Sequence, residues 1–310
     1  MSPLVYILVL NYCSLDDTLC CVEAIRNITY PNFRLLVIDN DSPDGSGDVL
    51  SRVIPSHELL RLGSNTGYAG GNNAGFNIAL ANDAAYVLVV NPDVRLPPEC
   101  LTSYVTFLET DPRIGALNPV QLDAAGNVDL GFSRAVLSTT TPYASQAYTE
   151  AKEAKTLFGA ALILPAKTIR LVGGFDPLFF AYGEEEDLCR RIRSRGLKLV
   201  VTSLSPVTHH RTKEGTGASD FVLFLRLKGT YLYSLKSPQL GFRYALKHFL
   251  RDFLKDILGK RKNVYPFNKY PIKASHIIRA GYWVLRNVEA IRQHRKLDKA
   301  QGPYISEARE

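Results

Sequence analysis

The sequence predicts an α/β protein: a mostly parallel sheet covered by helices on both faces, followed by a basic helical tail. Three observations carry that expectation. Short apolar runs alternate with amphipathic stretches from residue 3 to residue 120, the pattern that lays crossover helices over a parallel sheet. The loops that follow the apolar runs are rich in Asn, Asp, Ser and Gly, residues that suit turns, caps and close backbone approach. Charge is also divided: Arg226 to Lys299 holds 18 Lys and Arg against four Asp and Glu, a surplus of +14, so the rest of a chain with net charge +7 carries −7. An acidic body joined to a basic tail implies two jobs in one chain.

The elements follow in order. "PLVYILVL" (3–10) is the first strand. It lacks a basic leader and is far shorter than the roughly 20 residues of a membrane span, so it reads as buried sheet and not as a signal peptide. "FRLLVID" (33–39), "HELLRL" (57–62), "AAYVLVVN" (84–91) and "IGALNPV" (114–120) continue the sheet, with helices over 16–28, 46–53, 71–82 and 98–109 between them. Residues 126–135 suggest a hairpin, and the Ser/Thr-rich stretch 136–156 reads as mobile. Two further strands are expected in "KTLFGAALILP" (155–165) and "LKLVVTS" (197–203). No internal repeat is present.

With 310 residues of which 46% are hydrophobic, the chain can bury one large core or two modest ones. Cysteines 13, 20, 21, 100 and 189 are odd in number, scattered and without a C-x-x-C pair. That usage fits a reduced, cytoplasmic compartment and argues against a structural zinc site.

Ligands of open α/β sheets bind beyond the carboxyl ends of strands, and four polar loops occupy those ends here: "NYCSLDD", "DNDSPDGSG", "GSNTGYAGGNNAG" and "NPDVRLPPE". Asp39, followed by Asn40, ends its strand where a carboxylate either accepts the ring N–H of a pyrimidine or merely closes an Asx-turn. The Gly-rich loop Asn65 to Gly75 permits close backbone approach to a phosphate or sugar, although its spacing is not G-x-G-x-x-G. Asn91 and Asp93 flank Pro92, either as a bland turn or to present one oxygen to a ribose and another to Mg²⁺ or Mn²⁺. His209 and His210 follow the last strand of the body as possible metal ligands. "FFAYGEEEDLCRR" crowds four carboxylates, Glu184 to Asp187, at the start of a helix. Acids favour the positive end of the helix dipole, yet such crowding also raises the pKa of a member.

In this order, "ILVLNY", "VIDNDSPDGS", "NTGYAGGNNAG", "VVNPDV", "VGGFDPLFFAYGEEEDLCRRIRSRG" and "HH" resemble the successive motifs of family-two glycosyltransferases of the GT-A fold. Among these, the chain is most similar to bacterial rhamnosyltransferase-like members that build O-antigens and other surface polysaccharides. The resemblance covers residues 4–217, taken as the catalytic domain, with 218–310 as a basic helical region. It implies an inverting transfer from a nucleotide-sugar, dTDP-rhamnose or a UDP-sugar, with Mg²⁺ or Mn²⁺, onto a glycan or polyprenyl-diphosphate-linked acceptor. By that resemblance Asp39 meets the base and Asn11 lines the nucleotide pocket. Asn65, Gly67 and Asn72 flank the diphosphate or sugar, and Asp93 with His209 or His210 holds the metal. Asn91 stands where the family's D-x-D motif has its first Asp. The acidic run corresponds to the family's E-D-x-D-L, and aligning Asp187-Leu188 places the catalytic base at Glu185, with Glu184 and Asp187 setting the field or binding acceptor hydroxyls.

The tail carries two amphipathic helical patterns. In 240–260, Phe242, Leu246, Phe249, Leu250, Phe253 and Ile257 form one stripe, bordered by Arg243, Lys247, Arg251 and Lys255. Like charges four residues apart repel on an isolated helix, so an anionic membrane surface is the expected partner, with packing on the body or on a second subunit as the alternative. Residues 273–296 form the second such helix, with Tyr282 and Trp283 suited to an interface. Bases interleaved with apolar residues at helical period, and no nucleic-acid motif, argue against a nucleic-acid partner. A catalytically idle sugar-nucleotide sensor is the other alternative, opposed by the intact set Asp39, Asp93 and Glu185.

Overall fold

The structure, a computed structural model, describes residues 2–137, 151–210, 219–259 and 272–306. The first half runs β1 (Val5–Asn11), α1 (Leu15–Arg26), β2 (Phe33–Asp39), α2 (Ser46–Val53), β3 (Leu59–Arg61), α3 (Gly67–Ala81), β4 (Tyr86–Val90), β5 (Val94–Arg95) and α4 (Cys100–Thr110). It continues with β6 (Ile114–Leu122), α5 (Leu130–Ala135), β7 (Lys152–Glu153), β8 (Ala161–Pro165), α6 (Ala166–Val172), α7 (Glu184–Ser194) and β9 (Lys198–His209). Four helices follow: α8 (Asp220–Leu235), α9 (Phe242–Ile257), α10 (Ala274–Arg286) and α11 (Val288–Leu297).

The strands form one sheet in the order β3-β2-β1-β4-β8-β6-β9-β5, with β7 also on β9. β3, β2, β1 and β4 are mutually parallel, and β6 is parallel to β9. β8 lies antiparallel between β4 and β6, so β9 points the same way as β1. The carboxyl ends of β1, β2, β4 and β9, and the start of β8, therefore share one edge. Alternation along each strand fills the two faces: Ile7, Val9 and Val37 pack under α1 and α4, whereas Leu8, Ile38 and Val89 pack against α3 and α6. These are the two layers of helices that the alternating sequence pattern predicts.

Four expectations change. Residues 126–135 make no hairpin: a single bridge joins Leu122 to Val128, and Asp129 then caps α5 by accepting a hydrogen bond from the Phe132 N–H at 2.7 Å. Only the second half of 155–165 is a strand. The pattern over 273–296 is two helices, broken at Asn287, whose side-chain amide donates to the Trp283 carbonyl at 2.7 Å. The predicted stripe of α9 is largely its inner face: Phe249 is buried and Phe242, Leu246 and Phe253 pack with α8 and α10 around Phe179, leaving Leu250 and Ile257 outside. Most of the stretch 136–156 lies outside the described residues.

Candidate active site

Strand register brings the first residues together. Asn11 ends β1 beside Asp39 at the end of β2, and both are buried. The Asn11 amide nitrogen lies 2.8 Å from Asp39 Oδ1 and within 3.1 Å of the Ser42 and Ser46 hydroxyls, while the Thr18 hydroxyl donates to Asn11 Oδ1 at 2.9 Å. The Ser42 hydroxyl donates to Asp39 Oδ1 at 2.7 Å. Asp39 is thus a carboxylate locked in one orientation. Gly47 at the start of α2 makes room for it, since a Cβ there would lie 2.4 Å from Asp39 Oδ2.

Asn40 organises the next loop instead of facing outward. Its Oδ1 accepts from the Thr66 N–H at 3.0 Å, and its amide donates to Asn65 Oδ1 at 3.0 Å and to the Gly67 carbonyl at 3.2 Å. The run expected as a Gly-rich loop is helical from Gly67 onward. Gly67, the first residue of α3, has φ +72°, and a Cβ there would meet the Phe180 carbonyl at 2.3 Å, so the glycine lets the start of α3 abut the segment before α7. Asn72 is fully buried in α3 and donates to the Tyr68 carbonyl at 2.9 Å, and its buried Oδ1 has no partner among the described residues.

At the far side of β4, Asn91 donates its N–H to the Ala160 carbonyl at 2.9 Å, fixing the loop that carries Asp93. β5 pairs with the end of β9 so that Val94 faces His209. His209 Nε2 lies 3.1 Å from Asp93 Oδ2, and its Nδ1 lies 3.1 Å from Gln121 Oε1. The ring thus stands between the Gln121 amide and the Asp93 carboxylate, with Nε2 on the carboxylate side. A carboxylate and an imidazole nitrogen held from behind suit a divalent cation. His210 is exposed and only its backbone N–H reaches Asp93, donating to the carbonyl at 2.7 Å. The pair therefore divides: His209 faces Asp93, His210 faces solvent.

The acidic run sits on a constrained backbone. Phe180 and Tyr182 have φ of +66° and +68°, and Gly183 has +101°. Bulky residues adopt this region only when their surroundings enforce it. Gly67 presses from one side and Gly229 of α8 from the other, where a Cβ would lie 2.1 Å from the Tyr182 carbonyl. The four carboxylates then diverge. Glu185, partly exposed, accepts from the Gly159 N–H at 2.7 Å through Oε1, just ahead of β8. The Tyr68 hydroxyl donates to the Gly159 carbonyl at 3.0 Å, bracing the same residue from α3. Glu186 is exposed. Glu184 is buried, and that burial, with the neighbouring Glu185 charge, pushes its carboxyl well above the ordinary range.

Asp187 departs from the expected role in binding acceptor hydroxyls. It is fully buried, with Arg190 Nη2 at 2.7 Å from Oδ1 and Arg191 Nε at 2.9 Å from Oδ2. Lys236, at the end of α8, donates to Asp187 at 3.3 Å, to Asp298 at 3.0 Å and to Asp176. Asp176, Asp187 and Asp298 approach closely enough to hold a metal ion, but the Lys236 ammonium already occupies their centre. Burial alone would raise the Asp187 carboxyl; Lys236, Arg191 and Arg190 together hold it well below its usual range. Asp187 thereby ties α7 to Lys236 at the end of α8.

Matches to known proteins agree with this layout. The family described as Glycosyl transferase family 2 matches residues 5–146, and Glycosyl transferase family group 2 matches residues 86–269, more than half of the chain. The chain is a family-two glycosyltransferase. Among relatives of this glycosyltransferase is an N-acetylglucosaminyl-diphospho-decaprenol L-rhamnosyltransferase of Mycobacterium tuberculosis, 29% identical over 249 residues, covering 71% of this chain and 80% of that one. The low-salt glycan biosynthesis hexosyltransferase Agl10 of Haloferax volcanii is 23% identical, covering 74% of each chain. The mannosyltransferase PcManGT of Pyrobaculum calidifontis, solved with GDP-Man and Mn²⁺, superposes with a TM-score of 0.58 at 16% identity over 96% of this chain and 84% of that one. GalNAc-T7, solved with UDP, GalNAc and Mn²⁺, gives 0.56 at 16% identity over 85% of this chain and 58% of that one. The shared fold is GT-A.

Several residues of the glycosyltransferase site escaped sequence reasoning. Gly159, Tyr68 and Gln121 act through contacts spanning 26 to 91 residues, for which local spacing holds no signal. Lys236 and Asp176 look like ordinary surface charges in the sequence. Only "GGFDP" gave a hint, because Asp176 follows two glycines ahead of the acidic run.

Proposed function

We propose that this glycosyltransferase moves L-rhamnose from dTDP-rhamnose, with inversion, onto a hydroxyl of a lipid-linked glycan at the cytoplasmic face of a membrane. The observation that carries this reading is the meeting of three groups at one sheet edge: the Asn11–Asp39 pair, the Asp93–His209 pair, and Glu185 on the Gly159 N–H. The named activity of the mycobacterial relative supports the sugar and the kind of acceptor. Another sugar carried by UDP is the second reading.

In this scheme Asp39, oriented by Asn11 and Ser42, accepts the ring N–H of the donor base. Asn40, Asn65, Gly67 and Asn72 shape the wall beside the diphosphate or sugar, and Asn91 lines the approach to the ribose. Asp93 and His209 are the residues that would hold Mg²⁺ or Mn²⁺, an ion that would supply positive charge to offset that of the departing diphosphate. Glu185 takes the proton from the acceptor hydroxyl as that oxygen bonds to the anomeric carbon and the bond to the diphosphate breaks. Burial and the Glu185 charge push the Glu184 carboxyl upward, which favours its neutral form beside the base.

The deciding experiment is a thermal-shift panel of dTDP-rhamnose, UDP- and GDP-sugars with and without Mn²⁺, because a ligand that binds only the folded protein raises its stability. Stabilisation by dTDP-rhamnose above the others is expected, and a stronger response to UDP-sugars would move the assignment to the second reading. Asp93→Ala is expected to abolish the metal-dependent part of the response while melting as the parent does. An undiminished Mn²⁺ effect in that variant would remove Asp93 from the site.

Among the described residues no helix is long and apolar enough to cross a membrane, so contact with a bilayer would be peripheral. Support comes from the outer face of α9, where exposed Leu250, Leu254 and Leu258 alternate with exposed Arg243, Lys247, Arg251 and Lys255. Such long basic side chains lay their stems on an interface and keep their charges at headgroup level. Each contributes about 1 kcal/mol on an anionic surface. Replacing the four by Gln is expected to lower flotation with anionic liposomes by more than about tenfold, most visibly at low salt, and to leave transfer to a short soluble acceptor unchanged. Unaltered flotation would assign this face to packing against another protein surface.

A further inference from the structure

A cleft of about 630 Å³ opens between α8 and α10, lined by Phe224, Arg279, Tyr282, Trp283, Arg286 and Asn287. Two cations and three aromatic rings face it, and no carboxylate does. Arg279 lies over the Phe224 ring at 4.5 Å and Arg286 over the Tyr282 ring at 5.8 Å. Among the described residues neither guanidinium has an acidic partner. The nearby acids are engaged elsewhere: Asp220 with His276 at 3.0 Å and Glu289 with Arg292 at 3.6 Å. Two unneutralised guanidinium groups on one helical face, two turns apart at positions i and i+7, are an anion site in charge and in hydrogen-bonding capacity.

The cleft also adjoins the catalytic loop. Phe180 meets Phe221, and Phe221 meets Phe224, each pair with centroids 6.3 Å apart. Lys228 bridges the same gap from below: its ammonium is 5.9 Å from the Phe180 ring, 4.8 Å from the Trp283 ring, and donates to the Leu178 carbonyl at 3.0 Å. On the other side of the cleft α10 exposes Ile278, Tyr282 and Leu285. An anion held here would have the catalytic carboxylates on one side and an apolar, outward-facing surface on the other. A diphosphate with a sugar at one end and a prenyl chain at the other has that same order of chemistry.

We infer that Arg279 and Arg286 bind the diphosphate of the lipid-linked acceptor, so that its sugar reaches towards Glu185 and its chain leaves along Ile278, Tyr282 and Leu285. The inference rests on the proposed lipid-linked acceptor and names the residues that would receive it. Its test uses the full chain with farnesyl diphosphate in neutral detergent micelles as the probe, compared with inorganic diphosphate and with farnesol. Binding of farnesyl diphosphate is expected to weaken at least about tenfold in Arg279→Gln/Arg286→Gln, to persist in large part in Arg279→Lys/Arg286→Lys, and to survive substitution of the four α9 bases. Inorganic diphosphate bound as tightly as farnesyl diphosphate would overturn the lipid assignment and leave a soluble-anion site. Equal losses from the α10 pair and from the α9 set would overturn the cleft in favour of general surface charge. Should the Gln pair fold poorly, full retention of binding by Arg279→Ala and Arg286→Ala taken singly would overturn the proposal equally well. Thermal response to the nucleotide-sugar is read on the same samples. An intact donor response without farnesyl diphosphate binding defeats only this inference, whereas no donor response in the parent defeats the proposed function.

Discussion

Lys236→Met is expected to destabilise the protein by about 3–5 kcal/mol, the usual cost of removing one partner from a buried ion cluster. The side chain is fully buried and its ammonium is the shared partner of Asp176, Asp187 and Asp298. Methionine fills similar volume, so the loss would be electrostatic and not a cavity effect. Urea titration followed by circular dichroism measures it, and a change below about 1 kcal/mol would show that the cluster is held together without the lysine. Adding Asp176→Asn to Lys236→Met is expected to recover part of the loss by removing one stranded charge. The pH dependence has a definite sign. Against burial, Lys236, Arg191 and Arg190 depress the Asp187 carboxyl, so its contribution is complete above the unfolded value of about 4 and disappears as pH falls through the lower folded value. Against burial, Asp187, Asp176 and Asp298 raise the Lys236 ammonium above its ordinary 10.5, so its contribution is lost only as pH rises past that point. Between about pH 5 and 9 neither Asp187 nor Lys236 adds pH dependence.

Glu185→Gln is expected to lower turnover by about 10²- to 10⁴-fold, the worth of a positioned general base, with donor affinity nearly unchanged. The amide keeps the size of the side chain, and its oxygen can still accept from the Gly159 N–H, but it cannot take a proton from the acceptor. Glu186→Gln, on an exposed side chain, is expected to behave as the parent. Single-turnover rates at saturating donor and acceptor isolate the chemical step. Asp187→Asn is the informative control: its defect should appear in urea stability before it appears in rate. A near-normal rate for Glu185→Gln beside a folded but inactive Asp187→Asn would shift the base two residues along the helix.

The body of the fold was legible because local pattern and tertiary role coincide there. Runs such as "FRLLVID" are buried on both faces, so hydrophobicity alone marks their extent, and α2 spans residues 46–53 as periodicity predicts. Asp93 and His209 stood out because each was expected just after a strand at the functional edge; β9 in fact runs on to His209 itself, and only the β5–β9 register chooses His209 over His210. The tail was less legible. A stripe such as Phe242, Leu246 and Phe249 has the same period whether it meets lipid or α8, and only the partner decides. α8 itself, with buried Lys228 and Lys236, escaped notice because lysine in a sequence signals solvent. Asp187 misled for a related reason. Four adjacent acids look equivalent until helix geometry, at 100° per residue, sends each in a different direction.

The cluster around Lys236 also sets an order of events during synthesis. Asp187 and Arg191 leave the ribosome long before Asp298, about a hundred residues later, an interval of roughly 5 to 20 s at ordinary elongation rates. Through that time α7 has its pairs with Arg190 and Arg191, and then Lys236, but not the third carboxylate of the cluster. Translation therefore completes the strands of the sheet well before the full anchorage of α7. A nascent chain stalled before α11 would hold the Asn11–Asp39 and Asp93–His209 pairs at the sheet edge beside an α7 that is only partly tied down.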